Sequence, residues 1–351
     1  QRRTCCGIPR RKTITMKKLL LILLSFLCIN LSAQTIVDTL PQNKNAILEE
    51  FTGIHCTFCP DGHVRAQQIK DAYPNDVFLI NLHTGGYANP SIGEPDFRIQ
   101  ESSNIANISN LGGYPAGTVN RRIFSMSQSG GTAMSRSDWG SACAYIIAQP
   151  SYLNVGLQAV HDTITNELII DVEVFYTDST PVNSSGFSPI NYLNVVLVQD
   201  SVLGPQVGAQ QWNPNAIVAG PWSPTYVHQH MLRAMPTGQW GEDLLSGPTP
   251  VGPGHFMFST YTYEIPSDIN GVIFKIEHIE VIAFVTEGQQ GEIITGNNCQ
   301  VTYPTNTPSG LVEILPNGMH RDVVYDIHGR IVTKIKKNTI YIKNNKKFIK
   351  F

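Results

Sequence analysis

The chain has 351 residues, with 25 Lys or Arg against 27 Asp or Glu, which is enough length for two domains of ordinary size. The charge is unevenly spread: residues 34–318 hold nine basic and 25 acidic residues, whereas residues 319–351 hold nine basic and two acidic ones. A body this acidic repels phosphate backbones and argues against nucleic acid as a partner.

Residues 1–15 read as a non-native upstream segment and Met16 as the true start. Lys17-Lys18, the apolar run Leu19 to Cys28 and the small residue Ala33 form the three parts of a signal peptide over residues 16–33. Leu27, not a small residue, precedes Cys28, which argues against lipid attachment there. The apolar run is too short to span a bilayer, and no later segment reaches eighteen apolar residues, so no transmembrane helix is expected in the mature chain. Export leaves Cys56, Cys59, Cys143 and Cys299 in an oxidising compartment. Only the first two have an informative spacing. Cys143 and Cys299 are either buried thiols or one bridge.

Residues 34–44 are polar and read as a flexible leader. Asn45 to Thr52 predicts a buried strand, followed by a Gly53 turn, Cys56-Thr57-Phe58-Cys59, and Pro60 at a first-turn position. Residues 61–73 predict a helix with Val64, Ile69, Ala72 and Tyr73 towards the core, and Val77 to Leu82 a central parallel strand. Strand, helix and strand together predict a right-handed βαβ unit. A Gly- and Pro-rich loop (84–96), a weak helix (97–111), the tight segment Gly112 to Gly117 and a helix opening at Ser137-Asp138 complete an α/β domain over 45–149. Beyond it the period changes to two. Strands are expected at 152–160, 168–176, 191–199, 257–265, 272–287 and 291–303, with no helix, which predicts an all-β sandwich over 150–305. Residues 311–351 form a small β C-terminal module with basic turns.

A C-x-x-C pair is reactive at a helix start, where unpaired N–H groups and the positive dipole end stabilise the first thiolate. Cys56 and Cys59 stand in that position, and a protonated His55 would add to the effect. The other reading is a permanent, inert disulfide. In Tyr226-Val227-His228-Gln229-His230, an extended chain would turn His228 and His230 to one face, as weak candidate metal ligands. A polar strand edge packed by Tyr226 and Met231 explains the same residues without a metal, and no cofactor is implied.

The run Ile47 to Phe51, four residues, then Cys56-Thr57-Phe58-Cys59 resembles thioredoxin-fold proteins. The resemblance implies that Glu50, six residues before Cys56, moves protons during exchange. It also implies that Pro115 is a cis-proline facing the disulfide, with Tyr114, His55 and Phe58 forming the substrate edge. His55 and Thr57-Phe58 replace the family's usual Trp and Gly-Pro. An α/β thioredoxin-like domain followed by a β domain carrying Y-x-H-x-H-x-L-R resembles the Omp-twenty-eight family of Gram-negative outer-membrane proteins. That resemblance implies an outer-membrane or cell-surface location. Tyr325-Asp326-x-x-Gly329-Arg330, Ile340-Tyr341-Ile342 and Lys346-Lys347 resemble a type IX secretion sorting domain, which makes that machinery a partner. Two functions follow as expectations. One is thiol–disulfide exchange with protein thiols or disulfides. The other is non-enzymatic binding of a surface ligand, with the C-x-x-C as a structural bridge.

Overall fold

The computed structural model describes residues 35–128, 130–182, 188–244 and 251–303, and the backbone of three C-terminal strands. Residues 1–33, with the expected signal peptide, and most of 311–351 lie outside the described residues. The chain divides into two compact units, residues 1–304 and 305–351.

In the first unit the strands are β1 (Ala46–Thr52), β2 (Val77–His83), β3 (Ala116–Val119), β4 (Met134–Ser135), β5 (Leu153–Asp162), β6 (Glu167–Tyr176), β7 (Asn191–Gln199), β8 (Val202–Pro205) and β9 (Ile217–Val218). They continue with β10 (Thr225–His228), β11 (Met231–Ala234), β12 (Glu242–Asp243), β13 (Phe256–Glu264), β14 (Asp268–Ile269), β15 (Val272–Ile273), β16 (Ile279–Glu287) and β17 (Ile293–Thr302). The α-helices are α1 (Cys59–Ala72), α2 (Gln100–Ser109), α3 (Trp139–Ile147) and the single turn α4 (Ala209–Trp212).

The main sheet runs β13-β6-β5-β17-β16-β7-β11-β2-β1-β3-β4, with β12 beside β7. β1 and β2 are parallel from Ala46↔Val77 to Thr52↔His83, with α1 as the crossover. β3 runs antiparallel on the other side of β1. β2 then meets β11 at Met231↔Asn81, and β11 pairs with β7. Hydrogen bonding therefore passes without a break from the segment before residue 150 into the segment after it.

Period-two alternation sends the two faces of β1 into different cores. Ala46 and Leu48 pack beneath α1 and α3, with Ala66, Trp139, Ala142, Cys143 and Ile146. Ile47 and Phe51 pack on the other face with Ile105 of α2 and with Val196, Val198, Ile282 and Phe284 of β7 and β16. After β3, Asn120 and Arg121 adopt left-handed backbone. The Asn120 amide then accepts from the Ile47 N–H and donates to the Ile293 carbonyl, tying β1 to β17.

Several expectations are corrected. The sandwich over 150–305 is not a free-standing pair of sheets, because β5, β6 and β13 join the large mixed sheet through β17, at Val301↔Ala159 and Thr302↔Val160. The leader does not run loose: the Glu173 carboxylate accepts the N–H groups of Ile36 and Val37, and Val37 is buried. Ile69 of α1 and Tyr73 at its C-terminal end pack against the core as expected, but the buried positions of α1 are Cys59, Pro60, Gly62 and Ala66, and Ala72 is exposed. The expected strand 272–287 breaks into β15, a 3-10 turn at Ile276–His278 and β16. The region expected to hold no helix contains α4.

The second unit is a three-stranded antiparallel sheet of β18 (Val324–Asp326), β19 (Ile340–Lys343) and β20 (Lys346–Ile349), with Tyr325 opposite Ile342 and Tyr341 opposite Phe348.

Candidate functional site

β1 delivers its last residues to the N-terminus of α1 through a tight turn. Gly53 is required there, since a Cβ would stand 2.5 Å from the Tyr87 carbonyl carbon. The Cys56 N–H donates to the Gly53 carbonyl at 3.0 Å, and Cys56 and Cys59 are joined in a disulfide. Cys59 opens α1, Pro60 follows in the first turn, and Asp61 lies where a negative charge suits the helix dipole.

Glu50 lies on the α1 side of β1. It is 0% exposed, and neither carboxylate oxygen has a hydrogen-bond partner. The Gly62 Cα is wedged between Glu50 and Pro115: a Cβ there would stand 2.5 Å from Glu50 Oε1 and 3.0 Å from the Pro115 ring. Gly62 is one turn along α1 from Cys59, so the acid and the proline both face the helix turn that carries the disulfide. The Tyr114–Pro115 peptide is cis. Burial pushes the Glu50 carboxyl well above the usual carboxylate range, and the charge of Arg136 offsets this in part. Such a carboxyl holds its proton where ordinary glutamates have lost theirs.

The other expected substrate-edge residues are spread around the pair. His55 Nε2 lies 2.9 Å from Glu94 Oε2. Tyr114 packs edge-on against Tyr87, 5.7 Å between centroids. Phe58 is 48% exposed, with the Arg136 guanidinium over its ring and the Trp212 ring tilted against it, 5.7 Å between centroids.

A segment between β8 and β9 covers the pair. The Gln206 amide donates to the carbonyls of Gly53 (3.2 Å) and Cys56 (3.1 Å), and the Val207 N–H donates to the Ile54 carbonyl. Gly208, at φ +79°, lies so close to the motif that a Cβ would meet the Thr57 carbonyl oxygen at 2.0 Å. Cys56 is left 3% and Cys59 0% exposed.

His228 and His230 do not share a strand face. β10 ends at His228, and His230 takes φ +52° in the turn before β11, which sends the two side chains apart. His230 Nε2 lies 3.1 Å from Gln67 Oε1, and its ring lies beside Asp200. His228 enters a buried group with His63, His83 and Phe97, 5.3 Å from the His83 ring and 4.9 Å from Phe97. Burial holds His63 down to about 4 and His83 to about 3, and lowers His228 as well. Among the described residues no group of three or more His, Cys, Asp or Glu is arranged to hold a metal ion. Cys143 and Cys299 are free thiols, not a bridge, and burial pushes both up to about 12.

Sequence reasoning missed Gln206, Trp212, His63 and Arg136. His63, one turn after Cys59 on a helix already identified, carried a usable signal. Gln206 carried none, since its role depends on a contact across 150 positions.

No protein-family model and no curated protein matches the chain. Among solved structures, HBP35 of Porphyromonas gingivalis superposes with a TM-score of 0.53 and 17% identity, over 88% of this chain and 97% of that one. A protein from Agrobacterium tumefaciens gives 0.40 and 12%, over 73% and 94%. A domain of the outer membrane lipoprotein Omp28 from Porphyromonas gingivalis gives 0.26 and 17%, over 44% and 90%. What this chain shares with HBP35 is its fold.

Proposed function

We propose that this is an exported outer-membrane or cell-surface protein of a Gram-negative bacterium, in which a thioredoxin-like domain over residues 45–149 carries out thiol–disulfide exchange through Cys56 and Cys59. Residues 150–305 form its β domain and 311–351 a type IX secretion sorting module. The signal-peptide pattern of residues 16–33 and the basic tail support the location.

The observation that carries the redox reading is Glu50. A carboxyl fully buried, unpartnered and packed under the helix turn that begins with Cys59 is costly to keep. An inert bridge gives it nothing to do, whereas a disulfide that opens needs a proton at its inner sulfur. In exchange, a thiolate attacks Cys56, Cys59 leaves and takes the proton of Glu50, and the reverse order forms the bridge again. Cis-Pro115 with Tyr114, and Phe58 on the other side, border the place where a substrate chain would lie. Partners are protein thiols or disulfides.

The test follows dithiothreitol-driven reduction of a disulfide-bonded protein with catalytic amounts of the mature chain. The wild type accelerates the reaction and Cys56→Ser does not. An unchanged rate with Cys56→Ser ends the redox reading.

A second reading is a surface-binding protein whose Cys56–Cys59 bridge is structural. The near-complete burial of both sulfur-bearing residues beneath Gln206 to Trp212 favours it.

A further inference from the structure

His63 is the side chain that joins the hidden acid to the outside. One ring nitrogen, Nε2, lies 2.9 Å from Thr52 Oγ1 and 3.9 Å from Glu50 Oε1. Thr52 is two residues from Glu50 on β1 and points to the same face. The opposite nitrogen, Nδ1, lies 3.0 Å from the Tyr226 hydroxyl, which accepts from the Asn213 amide at 2.8 Å. Since Asn213 only donates to it, the hydroxyl hydrogen is free to point at Nδ1. Nε2 then carries the imidazole hydrogen towards β1. Beyond the ring opens a cleft of about 460 Å³, lined by His63, Gln67, Asn81, Asn213, Tyr226 and His230. Imidazole can take a proton at one nitrogen and release another at the other, and here the two nitrogens face the acid and the cleft.

We infer that His63 is a positioning residue that relays protons between the carboxyl of Glu50 and the cleft. This rests on the redox reading. A substrate dithiol reduces the bridge: the Cys56–Cys59 bond breaks, a disulfide forms in the substrate, and two electrons pass to the cysteine pair. The Cys59 sulfur takes its proton from Glu50. Glu50 regains one from His63 Nε2, which stands 3.9 Å away at rest and closes to hydrogen-bond distance for the transfer, and His63 regains one at Nδ1 from the cleft through Tyr226. The Cys56 sulfur takes the second proton, and the substrate's two thiol protons balance both. The groups around Glu50 fit this role. Arg136 acts on it only as a charge, Tyr226 is buried with its phenol pushed up, and His63 is neutral when the site rests. His83 and His228 belong to the same buried group, but neither is hydrogen-bonded to His63 or to Glu50.

The test reads the proton on Glu50 in the resting, oxidised full chain by infrared spectroscopy. The carboxylic C=O band that disappears in Glu50→Gln belongs to Glu50, and its shift after dilution into D2O gives the exchange rate. In His63→Gln, which keeps polar contacts but cannot relay, the rate is expected to fall by roughly a hundredfold. In His63→Ala, added imidazole is expected to restore it, which a purely structural role would not allow. Backbone amide exchange in β1 controls for opening of the fold. An undiminished rate in His63→Gln, a slow rate that imidazole leaves unchanged, or the absence of a protonated Glu50 band would each overturn the inference. The redox reading is judged separately: if relay is found without catalysed exchange, only that reading fails, and if exchange is found without relay, only His63 loses its role.

Discussion

The Gln206 side-chain amide donates to the Cys56 carbonyl at 3.1 Å and so ties the first cysteine of the pair to a segment 150 positions further along the chain. The same amide reaches the Gly53 carbonyl, so one side chain holds both ends of the turn that presents the disulfide. Access to Cys56 is therefore set by how often this segment lifts. In Gln206→Ala these bonds are lost, at about 1 kcal/mol each. Reduction of the bridge by excess phosphine, followed by released thiol, is expected to become roughly thirtyfold faster, since the two bonds together amount to about 2 kcal/mol and 1.4 kcal/mol is about a factor of ten. An unchanged rate would show that the segment does not limit access.

Gly208 gives a second handle on the same contact. Its φ of +79° and the 2.0 Å approach of a Cβ to the Thr57 carbonyl oxygen leave no room for a side chain. Gly208→Val is expected to displace the segment and lower stability by about 1–3 kcal/mol. Urea unfolding measures the loss, and faster thiol release accompanies it.

The β1–β3 junction contains a buried ion pair. Both Arg121 and Glu49 are almost fully buried, with Nη2 2.6 Å from Oε1 and Nε 2.9 Å from Oε2. Glu49→Gln leaves the guanidinium uncompensated and is expected to cost about 3–5 kcal/mol, read by urea unfolding. Glu49→Leu combined with Arg121→Met is expected to recover most of that loss, because neither charge is then stranded.

Two sets of buried groups act on stability in opposite pH ranges. His63 and His83 are held by burial to about 4 and about 3, against an ordinary 6.5. As pH falls below 6.5 the unfolded chain takes up protons that the folded chain refuses, so stability is present above that pH and lost towards 4 and 3. Each contributes on the order of 1 kcal/mol per pH unit within its window. His83→Phe is expected to flatten the acid side of a stability profile. Glu50 has the opposite sign. Its folded value is raised above the ordinary 4.5, so stability falls as pH rises from there through the raised value. Glu50→Gln is expected to gain stability at neutral pH and none in acid. A profile parallel to wild type would show that Glu50 is not held protonated.

What was legible in the sequence is what short-range pattern specifies. The buried run of β1, the turn at Gly53, Pro60 in the first turn of α1 and the strand β2 all follow from residues within one βαβ unit. The alternation of β6 is equally plain, and the apolar runs of β5 and β7 read as strands as well. The assembly of the sheet was not, because β2 meets β11 across 150 positions at Met231↔Asn81, a pairing without local signature. The expectation for His228 and His230 failed at one backbone angle: His230 in left-handed conformation ends the alternation that the pattern assumed. The cover over Cys56 was invisible for the same reason as the sheet order, since Gln206 sits in a Gly- and Pro-rich stretch that reads as loop.

The most direct measurement is the reduction potential of the Cys56–Cys59 pair in the full mature chain, by equilibration with glutathione buffers. Exchange chemistry requires a value between about −270 and −120 mV, the span of known exchange catalysts. A value below about −300 mV would mark a structural bridge and contradict the redox function.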